Sequence, residues 1–396
     1  MTGSNLRIGV VTAFPPGRNS LNEFGFHLVK HLARQNDVAE VLLYADVTDA
    51  GPPDLVTRVT AYPCWTFNSL ASSFTLLRMI RRTRPDAVLF NLQFATFGDT
   101  RIAGALGLLV PAMLRVLRVP TLVVLHNLAD NVDMQDAGFA GSAATARLMT
   151  LAGRILTRAL LMADLVALTI PRYVEYLQQS YRATNVLLAP HGSFEEVAVP
   201  SFSVPPGRRR ILAFGKWGTY KTVDVLVDAY QTLLRRGYTE LELVLAGTDS
   251  PNSSGYMASV AERYADLPGL ILTGYVAESE VAPLFSSATV VAFPYTSTTG
   301  SSGVLHQAGE YGRAAVLPRI GDLIDIIEEE GFLGVYFEPG DPVSLADALA
   351  RVLEEPDLRE MLGRRNFAAA AGIPLAEVVH WHLVHIQRLL DRRERR

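Results

Sequence analysis

Cysteine is almost missing from this chain. Cys64 is the single one in 396 residues, so no intrachain disulfide can form and the fold must rest on a packed core. That usage fits a reducing compartment, and a cytoplasmic location is expected. A basic excess is missing too: 36 Lys and Arg against 40 Asp and Glu leave a formal charge of −4. Such a balance argues against nucleic acid as a partner. Three short basic clusters (Arg81, Arg82 and Arg84; Arg208 to Arg210; Arg392, Arg393, Arg395 and Arg396) read as solvated charges, with peripheral membrane contact as the alternative.

Long hydrophobic runs are also lacking. The longest lies at about 103–114 (AGALGLLVPAML), well short of the ~20 residues of a spanning helix. It reads as a core helix, or else as a surface touching lipid or a lipid-linked acceptor. The opening LRIGVVT reads as a buried strand, not a secretory signal. No D-x-D tripeptide is present, so no metal clamp on phosphates is expected. The first strand is followed by Pro15-Pro16 and not by G-x-G-x-x-G, which argues against a dinucleotide-dependent oxidoreductase.

What is present is core material: 49% apolar and 19% charged residues, enough for two domains of roughly 150–200 residues each. Near-continuous apolar runs alternate with amphipathic stretches. Strands are expected at 6–12, 41–44, 87–91, 121–126, 165–169 and 185–189. After a restart they are expected at 210–214, 241–246, 270–273, 289–293 and 315–318. Runs of this kind suit parallel strands covered on both faces. Helical spacing is clearest at Leu21, Phe24, Leu28 and Leu32, at about 143–163, and at about 222–235, 254–265, 278–286, 303–312, 343–353, 357–370 and 374–392. The proline-rich stretch 197–207 (VAVPSFSVPPG) separates the two series and reads as a linker. The expected fold class is α/β, with two Rossmann-like doubly wound domains facing a cleft.

Two loops of the second half carry the chemistry. Phe214-Gly215-Lys216-Trp217-Gly218-Thr219-Tyr220-Lys221-Thr222 lies between a strand and a helix. Its glycines let backbone approach a ligand, and its lysines supply charge. Thr296-Ser297-Thr298-Thr299-Gly300-Ser301-Ser302-Gly303 follows a strand and opens a helix. Free amides and the positive dipole end make such a turn an anion site. Each loop has a plainer reading, a solvated turn and an ordinary N-cap at Ser301 or Ser302. Both in one domain are harder to explain that way.

These motifs resemble those of the retaining family 4 glycosyltransferases, and the resemblance runs along nearly the whole chain. The family pattern is G-R-x4-K-G, A-G-x-G, G-x-V, then E-G-F-G-x4-E-A-x3-G-x-P-V. The counterparts here are Gly215-Lys216 with Lys221, Ala246-Gly247, Gly274-Tyr275-Val276, and Thr299-Gly300-Ser301-Ser302-Gly303-Val304-Leu305-His306-Gln307-Ala308 with Gly312 and Val316. The resemblance implies a GT-B architecture: an acceptor-side domain at 1–198, a linker at 199–207, a nucleotide-sugar domain at 208–373, and a helix at 374–396 crossing back onto the first. It implies that Lys216 and Lys221 hold the diphosphate. The backbone of Ser302, Gly303, Val304 and Leu305 would cap it, and Val276 would lie beside the base. Both acids of the family's E-x7-E pattern are neutral here, as Thr299 toward the donor sugar and Gln307 toward the ribose. His306 replaces an apolar position and reads as structural.

In the first half, His126-Asn127 closes an apolar strand. A buried loop-holding histidine is the bland reading; the resemblance places His126 beside the reacting carbon. Asn127 and Asp130 are acceptor-side candidates, as are Arg18 and Asn22 in the turn after the first strand. That turn keeps the family's prolines and Gly25, and otherwise reads as a helix entry with Ser20 as N-cap and Glu23 three residues on. His191 reads as structural. The expected activity is transfer of a sugar, with retention, from a UDP- or GDP-type donor to a small-molecule, glycan or lipid-linked hydroxyl, with no cofactor and no metal. The alternatives are a GT-B phosphorylase, a nucleotide-sugar epimerase, or a silent nucleotide-sugar-binding subunit, which the neutral Thr299 and Gln307 would suit.

Overall fold

A computed structural model describes residues 5–17, 21–49, 57–128, 143–195, 198–204, 207–219, 221–250, 253–297 and 302–395. Arg18, Asp130 and Thr299 lie outside them, as do Ser20 and Ser301.

The chain divides into two compact units, one of residues 1–191 with 375–396, the other of residues 192–374. The first unit carries β1 (Leu6–Val11), α1 (Asn22–Arg34), β2 (Val38–Asp46), β3 (Val59–Trp65), α2 (Ser72–Thr83), β4 (Ala87–Leu92), α3 (Arg101–Leu108), α4 (Val110–Val116), β5 (Thr121–Leu125), α5 (Ala143–Leu160), β6 (Leu165–Leu168), α6 (Pro171–Tyr181) and β7 (Val186–Leu188). Its sheet has the order β3-β2-β1-β4-β5-β6-β7, with every pair parallel. All six residues of β4 and all five of β5 are buried, which is why these strands read as near-continuous apolar runs.

The second unit carries β8 (Arg209–Trp217), α7 (Asp224–Arg235), β9 (Leu241–Asp249), α8 (Tyr256–Arg263), β10 (Leu270–Gly274), α9 (Glu278–Ser286), β11 (Val290–Ala292), α10 (Gly303–Glu310), β12 (Ala314–Pro318), α11 (Gly321–Glu330), β13 (Gly334–Phe337), α12 (Pro342–Glu354) and α13 (Pro356–Ala371). Its sheet, also parallel throughout, has the order β10-β9-β8-β11-β12-β13. A last helix, α14 (Leu375–Glu394), belongs to the first unit. It buries Val379, Leu383 and Ile386 and packs on α1 and β5. Its Arg393 pairs with the buried Asp164 at 3.0 Å.

Several expectations change in detail. β8 does not stop at Phe214; it runs to Trp217, because Gly215, Lys216 and Trp217 pair with Gly247, Thr248 and Asp249 of an equally long β9. Gly215 and Lys216 therefore stand on a strand, and the turn proper begins at Gly218. The apolar run at 103–114 is not one helix: α3 ends at Leu108 and α4 starts at Val110, with Pro111 in its first turn. The N-cap of α1 is Leu21, at φ 68, so the frame of a Ser20/Glu23 capping box is off by one residue. Edge strand β3, interrupted by Pro63, gives no apolar run and was not expected. Among the described residues no helix is long and apolar enough to cross a membrane.

Candidate functional site

In an open parallel sheet, ligands bind beyond the carboxyl ends of the strands where the order reverses. In the second unit that point lies between β8 and β11, which are neighbours. The two loops singled out by sequence leave these two strands. Lys221 forms an isolated antiparallel bridge with Tyr295, just past β11. Its Nζ sits 4.4 Å from the centroid of the Tyr295 ring, a cation–π contact. The same loop closes on itself through the Gly218 amide, which donates to the Lys221 carbonyl at 3.0 Å.

Behind this junction the backbones come very close. A Cβ on Gly247 would lie 1.9 Å from the Gly215 carbonyl oxygen, and its φ of +114° suits glycine alone. This accounts for the Ala246-Gly247 pair: Ala246 accepts the Trp217 indole N–H at 3.0 Å, and Gly247 lets β8 and β9 run on side by side. Lys216 is half-buried on that extension. Pleat alternation puts it on the face of Leu212 and Phe214, opposite the buried Trp217. Lys221 is thus the lysine that the structure ties to the loop after β11.

That loop leads into α10. Ser302 is the N-cap of α10, its side chain caps no amide, and it is 8% exposed. Among the described residues its Oγ has no hydrogen-bond partner. The Ser302 carbonyl accepts the amides of Leu305 at 3.0 Å and His306 at 3.4 Å. Gly303 and Val304 precede these bonds, so their amides sit at the positive end of the helix. A buried hydroxyl and two leading amides at a helix start are chemically suited to an anion. Leu305 is fully buried and Val304 nearly so. Gln307 is 3% exposed, leaving little of its side chain for a ribose. Val276 is half-buried between edge strand β10 and α9.

In the first unit the order reverses between β1 and β4. A buried polar chain crosses the ends of the three central strands there. The Thr12 hydroxyl donates to the Ala13 carbonyl at 2.9 Å and accepts from Asn91 Nδ2 at 2.9 Å. This fixes the Asn91 amide, whose Oδ1 faces His126 Nε2 at 2.8 Å. Nε2 must then carry the proton, leaving the lone pair on Nδ1. Burial, helped by nearby His382, pushes the His126 pKa down to about 3. The ring is 6% exposed and neutral at physiological pH. It can accept a hydrogen bond, but it is too weak a base to carry a proton. Phe24 packs edge-on against both His126 and His191, at 4.6 and 4.8 Å between centroids.

The other acceptor-side candidates hold loops. Asn127 Oδ1 accepts the Phe94 amide at 3.0 Å, and Asn22 Nδ2 donates to the Gly17 carbonyl at 2.5 Å. Sequence reading gave no role to Asn91, Asp46 or Tyr295. Asn91 was legible as a lone polar side chain in an apolar strand. Asp46, whose Oδ1 accepts the Phe14 amide at 2.9 Å, ends a similar run. Tyr295 carried no signal, since its place beside Lys221 depends on strand order.

The model of the family described as Glycosyl transferases group 1 matches residues 208–355, the segment holding both loops. The sulfoquinovosyl transferase SQD2 of Arabidopsis thaliana is 26% identical over 172 residues, 43% of this chain and 31% of that protein. The D-inositol 3-phosphate glycosyltransferase of Corynebacterium diphtheriae is 27% identical over 191 residues, 44% of this chain and 43% of that protein. The chain thus spans less than half the length of these curated relatives. Among solved structures, sucrose-phosphate synthase of Thermosynechococcus elongatus superposes with a TM-score of 0.75 at 16% identity, covering 98% of this chain and 99% of that one. HepE of Anabaena in complex with UDP-glucose gives 0.67 at 14%, again covering 98% and 99%. The fold is that of the GT-B glycosyltransferases, with two parallel-sheet α/β domains.

Proposed function

We propose that the chain is a retaining glycosyltransferase that moves a sugar from a UDP- or GDP-type donor to an acceptor hydroxyl, with no metal on the diphosphate. The observation carrying this reading is the meeting of Lys221 and Tyr295 at the junction of β8 and β11, beside the loop that leads into α10. The likeness to relatives named for sugar transfer, and to a structure holding UDP-glucose, supports it.

In the transfer, the bond from the anomeric carbon to the diphosphate breaks and negative charge gathers on the leaving oxygens. Lys221, Lys216, the amides of Gly303 and Val304, and Ser302 Oγ would stabilise that charge. Each charge-assisted contact is worth about 1.5–3 kcal/mol when desolvated. The acceptor oxygen attacks from the face the leaving group vacates, and its proton passes to the departing phosphate. His126 is neutral and holds no proton on Nδ1. It would accept a hydrogen bond from a donor or acceptor hydroxyl, and Asn91 would fix its ring. Peripheral contact with a membrane would suit a lipid-linked acceptor, and the single thiol suits a cytoplasmic setting.

A second reading, donor binding without transfer, draws on one observation: Gln307 is uncharged and 3% exposed where the resembling family has an acid. Release of nucleoside diphosphate from a panel of nucleotide sugars, with and without acceptors, separates the two. Acceptor-dependent release with a new glycoside supports transfer. Binding with no release across the panel supports the second reading.

A further inference from the structure

The buried imidazole of His306 has no part in the reading above. It lies on α10, one turn past the N-cap, and is 1% exposed. Its Nδ1 is 3.1 Å from the Ser302 carbonyl oxygen. Its Nε2 is 2.8 Å from Glu330 Oε2, and these two side chains are 2% and 7% exposed. The Glu330 carboxylate thus stands within ion-pair distance of the ring. The Phe332 ring stands edge-on at 5.2 Å. A carbonyl oxygen only accepts, so Nδ1 carries hydrogen. With Nε2 facing a carboxylate, a second proton makes the ring an imidazolium. Breaking one half of such a buried pair is costly, because it strands the other charge.

We propose that His306 is a positioning residue for the donor diphosphate: as an imidazolium it ties the Ser302 carbonyl at the start of α10 to Glu330 at the end of α11, and so holds the Gly303 and Val304 amides in place. This rests on the donor-site reading of the Ser302–Val304 turn. Losing the proton would leave Ser302 more loosely held and a buried carboxylate uncompensated in the unit that binds the diphosphate. Donor affinity must then fall.

The groups around the ring favour the charged form. Burial alone lowers the imidazole, but Glu330, the Ser302 carbonyl and Glu310 outweigh it, and the net shift is upward from 6.5. Glu330 comes from α11 and Glu310 from the ring's own helix. Strand β12 is wholly apolar. Helix α13 brings Arg365, which donates to the Gly331 carbonyl at 3.0 Å, one residue past Glu330. The sign follows: affinity is full at the acid end and declines as pH rises through the raised value.

The test is calorimetric titration of the full chain with UDP-glucose, GDP-mannose and ADP-glucose from about pH 6 to about pH 9. The diphosphate of a nucleotide sugar has no proton to lose in that range. Wild type should lose affinity about tenfold or more as pH rises. His306→Asn keeps a donor for the Ser302 carbonyl but does not titrate, so it should bind weakly with a flat profile. Glu330→Gln should move the inflection to lower pH, and it covers the case where His306→Asn fails to fold. Matching profiles for wild type and the variants overturn the positioning role alone. Wild type that binds none of the three donors at any pH overturns the donor-site reading, and this role with it.

Discussion

At the scale of single residues, Lys221 is the side chain whose surroundings most narrow its role. A lysine laid over the ring of Tyr295, in the loop that leads on to α10, brings positive charge to a loop whose composition already suits anions. Lys221→Ala should weaken donor binding by about 1.5–3 kcal/mol, roughly 10- to 150-fold in Kd by calorimetry. An unchanged Kd would remove Lys221 from the site. Gly247 admits no side chain: Gly247→Ala would drive a Cβ to 1.9 Å from the Gly215 oxygen at φ +114°. It should cost at least about 1–3 kcal/mol, read as a lower Tm. His126 is held neutral by burial, with its pKa at about 3. His126→Ala should therefore lower kcat with no loss of an inflection between about pH 5 and pH 8. Disappearance of such an inflection would show that the ring titrates in turnover. The only thiol, Cys64, is pushed up to about 12 by burial and is no nucleophile at neutral pH.

At the scale of elements, the central strands were legible because both their faces are covered. β1, β4, β5, β8, β9 and β12 all appear in the sequence as apolar runs, found within one to three residues at each end. Edge strand β3 was not, since its half-exposed residues and Pro63 break the pattern. α11 (GDLIDIIEEE) was missed too, its apolar positions lying too close to β12 to stand apart. The Gly-Lys and Ser-Gly loops could be read as anion-suited from composition, but the contact of Lys221 with Tyr295 depends on β8 lying beside β11, which no local pattern reveals. The same holds for the Thr12–Asn91–His126 chain, built from three strands far apart in sequence. Packing of α14 on β5 brings a further consequence. His126 and His382 are buried neutral, with values pushed down to about 3 and about 4 by burial. The unfolded chain binds protons at 6.5, so stability must fall as pH drops below that value. About 2 kcal/mol for each histidine, on the order of 4 kcal/mol together, should be lost by about pH 5. His382→Gln should flatten this decline in acid unfolding followed by circular dichroism; an equally steep decline would assign it to other groups.

At the scale of the whole molecule, the chain leaves the first unit, builds the second, and returns. α14 covers the first unit with Val379, Leu383 and Ile386, and pins it through Arg393 and Asp164. Each such apolar side chain is worth about 1.5–3 kcal/mol when buried, against a typical net stability of about 5–15 kcal/mol. Deleting residues 375–396 should therefore cost most of the first unit's stability while sparing the sheet of the second unit. Limited proteolysis should cut within residues 5–191 and leave a fragment near 208–371. Equal resistance of both regions would contradict the assignment of α14.

The central claim is that one diphosphate is held jointly by the turns after β8 and β11. A crystal structure with a bound nucleoside diphosphate tests it most directly. Phosphate oxygens should lie within about 2.7–3.2 Å of the Gly303 or Val304 amide and of Lys221 Nζ. A diphosphate bound at the carboxyl ends of other strands, touching neither turn, would contradict it.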